Sequence, residues 1–304
     1  MSLGTPTGVV PVLSTPFESD GSLDRKSFRR LASHVMSQNI DAVMFPGLAS
    51  EEYKLSSDER RQLIGDLLDV ALDHPTVTPI VSVSDHATVG AVRTVREVID
   101  RGARAVNLLP PHFLQPSRTA VLEHIAEVLD AAKSVPVLLQ YVPGGIGVAL
   151  EPEDISNLFK TYPNLGAVKV EAKPPGRFIA SLLAQENPVP SFVGNAGLYL
   201  LDALRNGAIG VQPGSSLTEV YLRLWNDWQT GNHESAKQYY FRLLEYFIGW
   251  ATHQELISAV EKLIAHRRGL ISHPHCRAPH RQLQGTDVEA VDRLLAEFAD
   301  ELHP

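Results

Sequence analysis

The stretch Leu165-Gly166-Ala167-Val168-Lys169-Val170-Glu171 is an apolar, strand-like run with a lysine near its end. An ammonium group is costly to bury, so a lysine in apolar surroundings loses its proton more easily than a lysine in water. The neutral amine is a nucleophile that condenses with carbonyl groups to form a Schiff base. The alternative is that Lys169 marks a strand end and reaches solvent. The elements on either side of this run favour the first interpretation.

Similar apolar runs recur along the chain and alternate with amphipathic segments. The predicted strands are Val9–Leu13, Ala42–Phe45, Pro79–Val83, Ala105–Leu109, Pro136–Tyr141, Gly166–Val170, Ser191–Val193 and Ala208–Val211. The predicted helices between them are Asp24–Gln38, Asp58–Leu72, Thr88–Arg101, Arg118–Lys133, Pro152–Tyr162, Arg177–Gln185 and Leu198–Arg205. A capping-box pattern, with Ser56 as the cap and Glu59 reaching back, marks the start of the second helix.

Strands that alternate with helices in this way predict an α/β protein, a (β/α)8 TIM barrel. An open doubly wound sheet is the alternative, but no strand is followed by a glycine-rich dinucleotide motif. The segments His233–Trp250, Gln254–His266 and Asp287–Glu301 predict a C-terminal helical extension. We therefore expect the barrel, with the active site, over residues 5–230 and the extension over residues 231–304.

Composition narrows the class of protein. The 304 residues carry 27 basic and 35 acidic side chains, which gives a net charge of −8, and 44% of them are hydrophobic. Because the basic residues form no stripe, we expect neither nucleic acid nor a membrane surface as a partner. With a single cysteine, no signal-peptide pattern and no apolar run of membrane length, the sequence predicts a cytoplasmic protein.

In a barrel of this kind, chemistry gathers at the carboxyl ends of the strands. Four segments there resemble the dihydrodipicolinate synthase / N-acetylneuraminate lyase family of Schiff-base barrels. Gly47-Leu48-Ala49-Ser50-Glu51 has the frame of the family's Gly-Thr-Thr-Gly-Glu loop, and Pro110–Ser117 fits its Pro-Tyr-Tyr-x-x-Pro-Ser segment. Gln140–Gly147 fits Tyr-Asn-x-Pro-x-x-Thr-Gly, and Gly166-Ala167-Val168-Lys169 fits the strand that carries the Schiff-base lysine.

The resemblance covers the barrel and implies a metal-independent class I aldolase or lyase without a cofactor. It assigns Lys169 as the Schiff-base lysine and a small-molecule 2-oxo acid, pyruvate or a derivative, as the substrate. Family members are commonly homotetramers built from dimers, so the resemblance also implies a homo-oligomer, either a tetramer or a dimer.

The departures from the family pattern concern its proton relay. Leu48 and Ala49 replace paired threonines, and Phe113 replaces the second tyrosine of its segment. Gln140 replaces another tyrosine, and it forms hydrogen bonds but has no accessible pKa. The arginine that binds a second carboxylate in some synthases falls on Gly145. These changes argue against dihydrodipicolinate synthesis itself.

The candidate catalytic residues are Lys169, Gln140, Glu171 and His112. Glu171 lies on the same strand face as Lys169 and is expected either to shuttle protons or to be an exposed strand-end carboxylate. His112 is expected either to act as an acid or base or to have a structural role. The candidate substrate-binding residues, led by a loop whose backbone amides suit a carboxylate, are Gly47, Leu48, Ala49, Ser50, Phe113, Asn195 and Gln212.

Two questions are left open by the sequence. One is the reaction: an aldolase or lyase is expected, with a dehydratase of a 2-oxo-3-deoxy sugar acid and a catalytically reduced 2-oxo-acid-binding barrel as alternatives. The other is the cluster His273, His275, Cys276 and His280, which has the right residue types for a metal. Its spacing matches no closed metal site, so no metal is expected there.

Overall fold

The structure, a computed structural model, describes residues 4–113, 116–143, 148–251 and 253–302. Its strands are β1 (Gly8–Val9), β2 (Ala42–Phe45), β3 (Thr78–Val83), β4 (Ala105–Leu108), β5 (Val137–Tyr141), β6 (Leu165–Val170), β7 (Ser191–Val193) and β8 (Gly210–Val211). Its helices are α1 (Arg25–Met36), α2 (Ser57–Leu72), α3 (Thr88–Asp100), α4 (Arg118–Ala131), α5 (Pro152–Thr161), α6 (Gly176–Leu183), α7 (Leu200–Arg205), α8 (Thr218–Gln229), α9 (His233–Trp250), α10 (Gln254–Arg267) and α11 (Gly285–Glu297).

The order of elements is that of the predicted (β/α)8 barrel with C-terminal helices. Every predicted strand is present, although β1 and β8 have two residues each and are shorter than predicted. Helix α8 adds an element for which the sequence analysis gave no bounds. Its buried positions Val220, Tyr221 and Leu224 have helical spacing, but the partly exposed Leu222 and Trp225 beside them are apolar as well, which blurs the apolar period.

The chain packs as two compact units. The first comprises the N-terminal residues up to Thr7 together with Thr78–Gln212, and it contains strands β3 to β8. Within this unit the strands pair in chain order, and every pair is parallel. The apolar residues of β6 lie buried, as is typical of parallel strands whose two faces are both covered.

Strand register fixes which side chains of the first unit share a face. Gln140 of β5 is aligned with Lys169 of β6, and Lys169 is aligned with Phe192 of β7. Backbone hydrogen bonds continue past the strand ends, from the Glu171 amide to Tyr141 and from the Gly194 amide to Val170. Because side chains alternate along a strand, Glu171 therefore lies on the face of Lys169.

The second unit comprises Gly8–Val77 and the residues after Gln212, and it contains β1, β2, α1, α2 and the helices from α8 onward. Val12 forms parallel bridges with Met44 and with Gly214. The predicted capping box is present, because the Ser56 hydroxyl accepts from the Glu59 amide at 3.2 Å and the Glu59 carboxylate accepts from the Ser56 amide at 2.9 Å. In neither unit is a described helix both long enough and apolar enough to cross a membrane.

Candidate active site

Lys169 lies near the carboxyl end of β6 and is only 6% exposed. Its Nζ is 3.1 Å from Oε1 of Glu171, whose side chain is also largely buried. The pair thus places a nucleophilic nitrogen beside a group that can take up its proton, with little water around either.

Gly194 makes room for Glu171. A Cβ atom at this glycine would lie 2.6 Å from Glu171 Cγ and 2.7 Å from Oε1. Contacts this close would force the carboxylate away, so the absence of a side chain at the end of β7 is part of the geometry that holds Glu171 beside Lys169.

A chain of hydrogen bonds leads from Glu171 across the neighbouring strands. Gln140 Nε2 donates to Glu171 Oε1 at 2.9 Å, and Gln140 Oε1 accepts from Asn107 Nδ2, also at 2.9 Å. Asn107 Nδ2 also donates to the Ser82 hydroxyl at 2.9 Å. We call Ser82, Asn107 and Gln140 the amide chain. Its buried side chains link β3, β4 and β5 to Glu171 at the end of β6.

Two further predicted residues lie beside these strand ends. Asn195, with a φ of 51°, donates from Nδ2 to the backbone oxygen of Glu171 at 3.1 Å. It therefore fixes the end of β6 through the backbone. Gln212 is 2% exposed, and neither atom of its amide has a hydrogen-bond partner among the described residues. A buried amide of this kind suits a polar ligand, because an unpaired buried polar group is costly.

His112 and Phe113 pack elsewhere in the first unit. The ring of His86 lies 4.7 Å from that of His112 and 6.3 Å from that of Phe113, and Phe113 is 58% exposed. Burial first, and then the neighbouring His112, lower the pKa of His86. A pocket is lined by His112, Gln140 and apolar residues of β5, of α4 and of the loops that follow β4 and β5. No contact of His112 with Lys169 or Glu171 is found in the described part of the chain.

Tyr141 follows Gln140 and points to the opposite face of β5. Its ring stacks on that of Phe178 at 4.4 Å, and burial raises the pKa of Tyr141. Because successive side chains of a strand point to opposite faces, Gln140 joins the amide chain and Tyr141 packs on the other side of β5.

The loop that carries Gly47, Leu48, Ala49 and Ser50 belongs to the second unit. Residues Leu48–Ser50 form a single 3-10 turn, and the Ser50 hydroxyl donates to the Leu13 oxygen at 2.5 Å while accepting from the Gly47 amide at 2.9 Å. The hydroxyl of Ser50 is thus used to fix the loop. The first amides of such a turn have no acceptor within it, which suits them to an anion.

Glu51, directly after this loop, forms a second buried lysine–glutamate pair. Its carboxylate accepts from Lys262, which is 0% exposed, from Lys54 at 3.1 Å and from the Arg277 amide at 3.1 Å. Lys262 also donates to the His275 oxygen at 2.9 Å and lies 4.3 Å from the centre of the Phe17 ring. Burial lowers the pKa of Lys262, and the Glu51 carboxylate acts against that effect.

The described residues contain no group of three or more His, Cys, Asp and Glu side chains arranged to hold a metal ion. Cys276, in the cluster considered for a metal, has its pKa raised to about 12 by burial. Gly145 and the rest of Gly144–Gly147 lie outside the described residues.

Three residues of this site were not predicted from the sequence: Ser82, Asn107 and Gly194. Asn107 carries the same signal that singled out Lys169, a polar residue within an apolar strand, and Ser82 lies between two valines. Gly194 has no such signal, since nothing in the sequence shows which side chain approaches it.

Comparisons with known proteins agree with this architecture. A family model described as the dihydrodipicolinate synthetase family matches residues 5–298. A 4-hydroxy-tetrahydrodipicolinate synthase from Xanthomonas campestris pv. campestris is 27% identical over 294 residues, which is 95% of this chain and 94% of the relative.

Solved structures show the same fold. A putative dihydrodipicolinate synthetase from Pseudomonas aeruginosa superposes with a TM-score of 0.86 at 25% identity, covering 98% of this chain and 100% of that one. A prophage protein of the dihydrodipicolinic acid synthase family from E. coli K12, solved in complex with pyruvate, has a TM-score of 0.83 at 20% identity over 96% of this chain and 98% of that one.

Proposed function

Because the chain belongs to the dihydrodipicolinate synthetase family, we propose that it forms a Schiff base through Lys169 and acts on pyruvate or a pyruvate-derived 2-oxo acid. Members of this family are lyases of the aldolase type, and the chain is an enzyme of that kind. The observation that carries the proposal is the buried pair in which Lys169 Nζ lies 3.1 Å from Glu171 Oε1. The relative solved with pyruvate supports the choice of substrate.

The first step is the condensation. Glu171 takes a proton from the Lys169 ammonium, and the freed amine adds to the ketone carbon to form a carbinolamine. Glu171 then returns the proton to the new hydroxyl group, which leaves as water. The product is an iminium ion between Lys169 and the substrate, and its positive charge lies beside the Glu171 carboxylate.

The second step uses the iminium ion as an electron sink. The bond that breaks joins the carbon adjacent to the former ketone carbon to the next carbon of the substrate. Its electron pair moves toward the iminium and leaves an enamine, while the hydroxyl group on the departing carbon gives its proton to Glu171 and becomes the carbonyl of the released fragment. Protonation of the enamine carbon and addition of water then release the 2-oxo acid and restore the Lys169 amine. The same steps in reverse join two carbonyl compounds.

The chain is proposed not to catalyse dihydrodipicolinate synthesis itself. Gln140 occupies the position of a relay tyrosine and is held at both ends of its amide, by Asn107 and by Glu171. An amide transmits hydrogen bonds but does not titrate, so proton transfer is left to Glu171. The test is an assay for 4-hydroxy-tetrahydrodipicolinate synthesis, the reaction in the name of the Xanthomonas relative. If the protein catalysed that synthesis as fast as it cleaves a 2-oxo acid, this part of the proposal would be wrong.

The other predicted residues have separate roles in the proposal. The substrate carboxylate is proposed to bind to the loop of Gly47, Leu48, Ala49 and Ser50. The rest of the substrate is proposed to contact Gln212 and Phe113. His112 remains a candidate acid or base, although its described contacts are with His86 and the Pro110 oxygen. Family members commonly form oligomers, and light scattering tests the proposed dimer or tetramer.

The experiment that tests the proposal is borohydride trapping in the presence of pyruvate, followed by peptide mass mapping. Reduction converts the iminium ion into a stable secondary amine, so the modified peptide identifies the lysine. We expect a single adduct on Lys169, and no adduct when borohydride is added without the 2-oxo acid.

Lys262 provides an internal control, because it is also buried beside a glutamate. An adduct on Lys262 or on an exposed lysine, with Lys169 unmodified, would overturn the assignment. Absence of an adduct with pyruvate and with a panel of larger 2-oxo acids would favour a barrel that only binds its ligand. Product analysis with those 2-oxo acids that do trap separates bond cleavage from dehydration.

A further inference from the structure

The amide chain has a direction. Each side-chain amide presents an oxygen on one side and a nitrogen on the other, so a bond made by one end fixes what the other end offers. Asn107 Nδ2 donates to both Ser82 Oγ and Gln140 Oε1. Gln140 must therefore turn its Nε2 toward Glu171, where it donates to Oε1 at 2.9 Å. This direction matches an ionised Glu171, which only accepts hydrogen bonds.

The opposite direction is open to the amide chain only when Glu171 is protonated. If both amides turn over, Asn107 Oδ1 accepts from the Ser82 hydroxyl and from Gln140 Nε2, since an oxygen has two lone pairs and a hydroxyl can donate as well as accept. Gln140 Oε1 then faces Glu171 and can accept only from a protonated carboxyl group. The two directions of the chain thus correspond to the two protonation states of Glu171.

We propose that Ser82 and Asn107 are positioning residues that set the direction of the Gln140 amide and thereby favour the ionised state of Glu171 before the substrate arrives. This inference rests on the proposed function, in which Glu171 carries a proton for Lys169. Asn107 is fully buried, and its Oδ1 has no hydrogen-bond partner among the described residues, so this side chain is held through its nitrogen.

Among the described residues, Glu171 has neighbours on β5, on β6 and at the end of β7. Lys169 faces it from β6 at 3.1 Å, and Gln140 faces it from β5. Gly194 and Asn195 face it from the end of β7, the latter through the Glu171 backbone oxygen. Of these groups only Lys169 is charged, so a change in the direction of Gln140 should be visible in the pH dependence of adduct formation.

The test is the rate of borohydride trapping with pyruvate as a function of pH, in the wild type and in Asn107→Asp. An aspartate carboxylate accepts from Ser82 and from Gln140 but cannot donate, so it enforces the opposite direction. The acid limb of the profile is the low-pH range in which the trapping rate falls. We expect this limb to move to higher pH by about one unit or more in Asn107→Asp. Asn107→Leu, which removes the donor without adding a charge, should shift the limb the same way by a smaller amount.

Asn164→Leu is the matched control. Asn164 is another buried asparagine of the same unit, and it donates to the Leu129 and Ala132 oxygens, outside the amide chain. This variant should lose stability but keep the wild-type profile. If the Asn107 variants do not fold, Ser82→Ala is a second variant of the amide chain. It should shift the acid limb by a small amount.

The outcomes separate the two proposals. If the wild type forms no adduct on Lys169, the proposed function fails. If the wild type traps normally and Asn107→Asp, Asn107→Leu and Ser82→Ala all keep the wild-type acid limb, the amide chain only packs the strands and this inference is wrong. Neutron diffraction, which distinguishes nitrogen from oxygen, should show the Gln140 nitrogen toward Glu171 above the acid limb and the oxygen toward it below.

Discussion

Two buried lysine–glutamate pairs stand out among the residues that the structure describes, one in each compact unit. Lys169 lies 3.1 Å from Glu171, and this carboxylate is the ionic partner that the described structure gives to its Nζ. Lys262 instead donates to Glu51 and to the His275 oxygen and lies over the Phe17 ring, while Glu51 also accepts from Lys54 and from the Arg277 amide. The residue types are the same, but the hydrogen bonding is not.

The difference in hydrogen bonding indicates which of the two lysines is suited to act as a nucleophile. A fully hydrogen-bonded buried ion pair holds its charges in place, and removing one partner leaves an uncompensated charge. A pair with a single mutual contact can pass a proton between its members and leave the amine free to attack. We therefore interpret the Lys262 pair as structural and the Lys169 pair as reactive.

The largest expected effect separates the pairs directly. Lys169→Ala should abolish the trapped adduct and lower turnover by about a thousandfold or more, because in the described part of the chain Lys169 is the amine paired with Glu171. Circular dichroism and thermal melting check that the variant folds. An adduct that persisted at the wild-type rate would show that another lysine carries the reaction.

The converse substitution tests the structural pair. Lys262→Met should lower the free energy of unfolding by about 3 kcal/mol, because it removes the fully buried lysine partner of the Glu51 carboxylate. Urea unfolding measures this loss. The adduct should still form on Lys169, and in Lys262→Met combined with Glu51→Gln part of the stability should return, since the buried charge is then removed.

Gly194→Ala tests how closely Glu171 must approach Lys169. The new methyl group would lie 2.7 Å from the present position of Oε1, so the carboxylate must move. A displacement of this size should slow trapping by about tenfold to a hundredfold. Gly65→Ala is the control, because Gly65 lies in α2 with nothing near its missing Cβ, and trapping there should be unchanged.

The smallest effect concerns the pH dependence of stability around the structural pair. Arg277, whose amide donates to Glu51, also hydrogen-bonds Glu59 through its guanidinium and lowers the pKa of Glu59 to about 2. A glutamate in the unfolded chain has a pKa of about 4.3. The stability gained from this contact is thus present above about pH 4.3 and is lost as the pH falls toward 2.

Glu59→Gln should therefore lose less stability than the wild type between about pH 5 and pH 2, as measured by urea unfolding at several pH values. Asp58→Asn, at an exposed neighbouring position, should follow the wild-type curve. Parallel curves for Glu59→Gln and the wild type would mean that other carboxylates govern acid unfolding. The Lys169 adduct above about pH 5 should be insensitive to either change.

Sequence by itself determined the order of elements, because the apolar period of a strand or helix is written in neighbouring residues. It also identified Lys169 and Glu171 as a pair on one face, since alternation along a strand is local. By the same alternation Tyr141, which follows Gln140, lies on the opposite face of the strand, where it stacks on Phe178. The family relationship followed from motifs whose order survives substitution of individual residues.

Tertiary structure alone decided what surrounds that pair. Ser82, Asn107 and Gln140 come from three strands, and only strand register brings them into one hydrogen-bonded chain. Gly194 matters because a side chain from another strand occupies the space beside it. Likewise, nothing local distinguishes Lys262 as structural, since its partners Glu51 and Phe17 are distant in the chain. Local patterns specify elements, whereas the proton chemistry of a site depends on contacts between residues far apart in sequence.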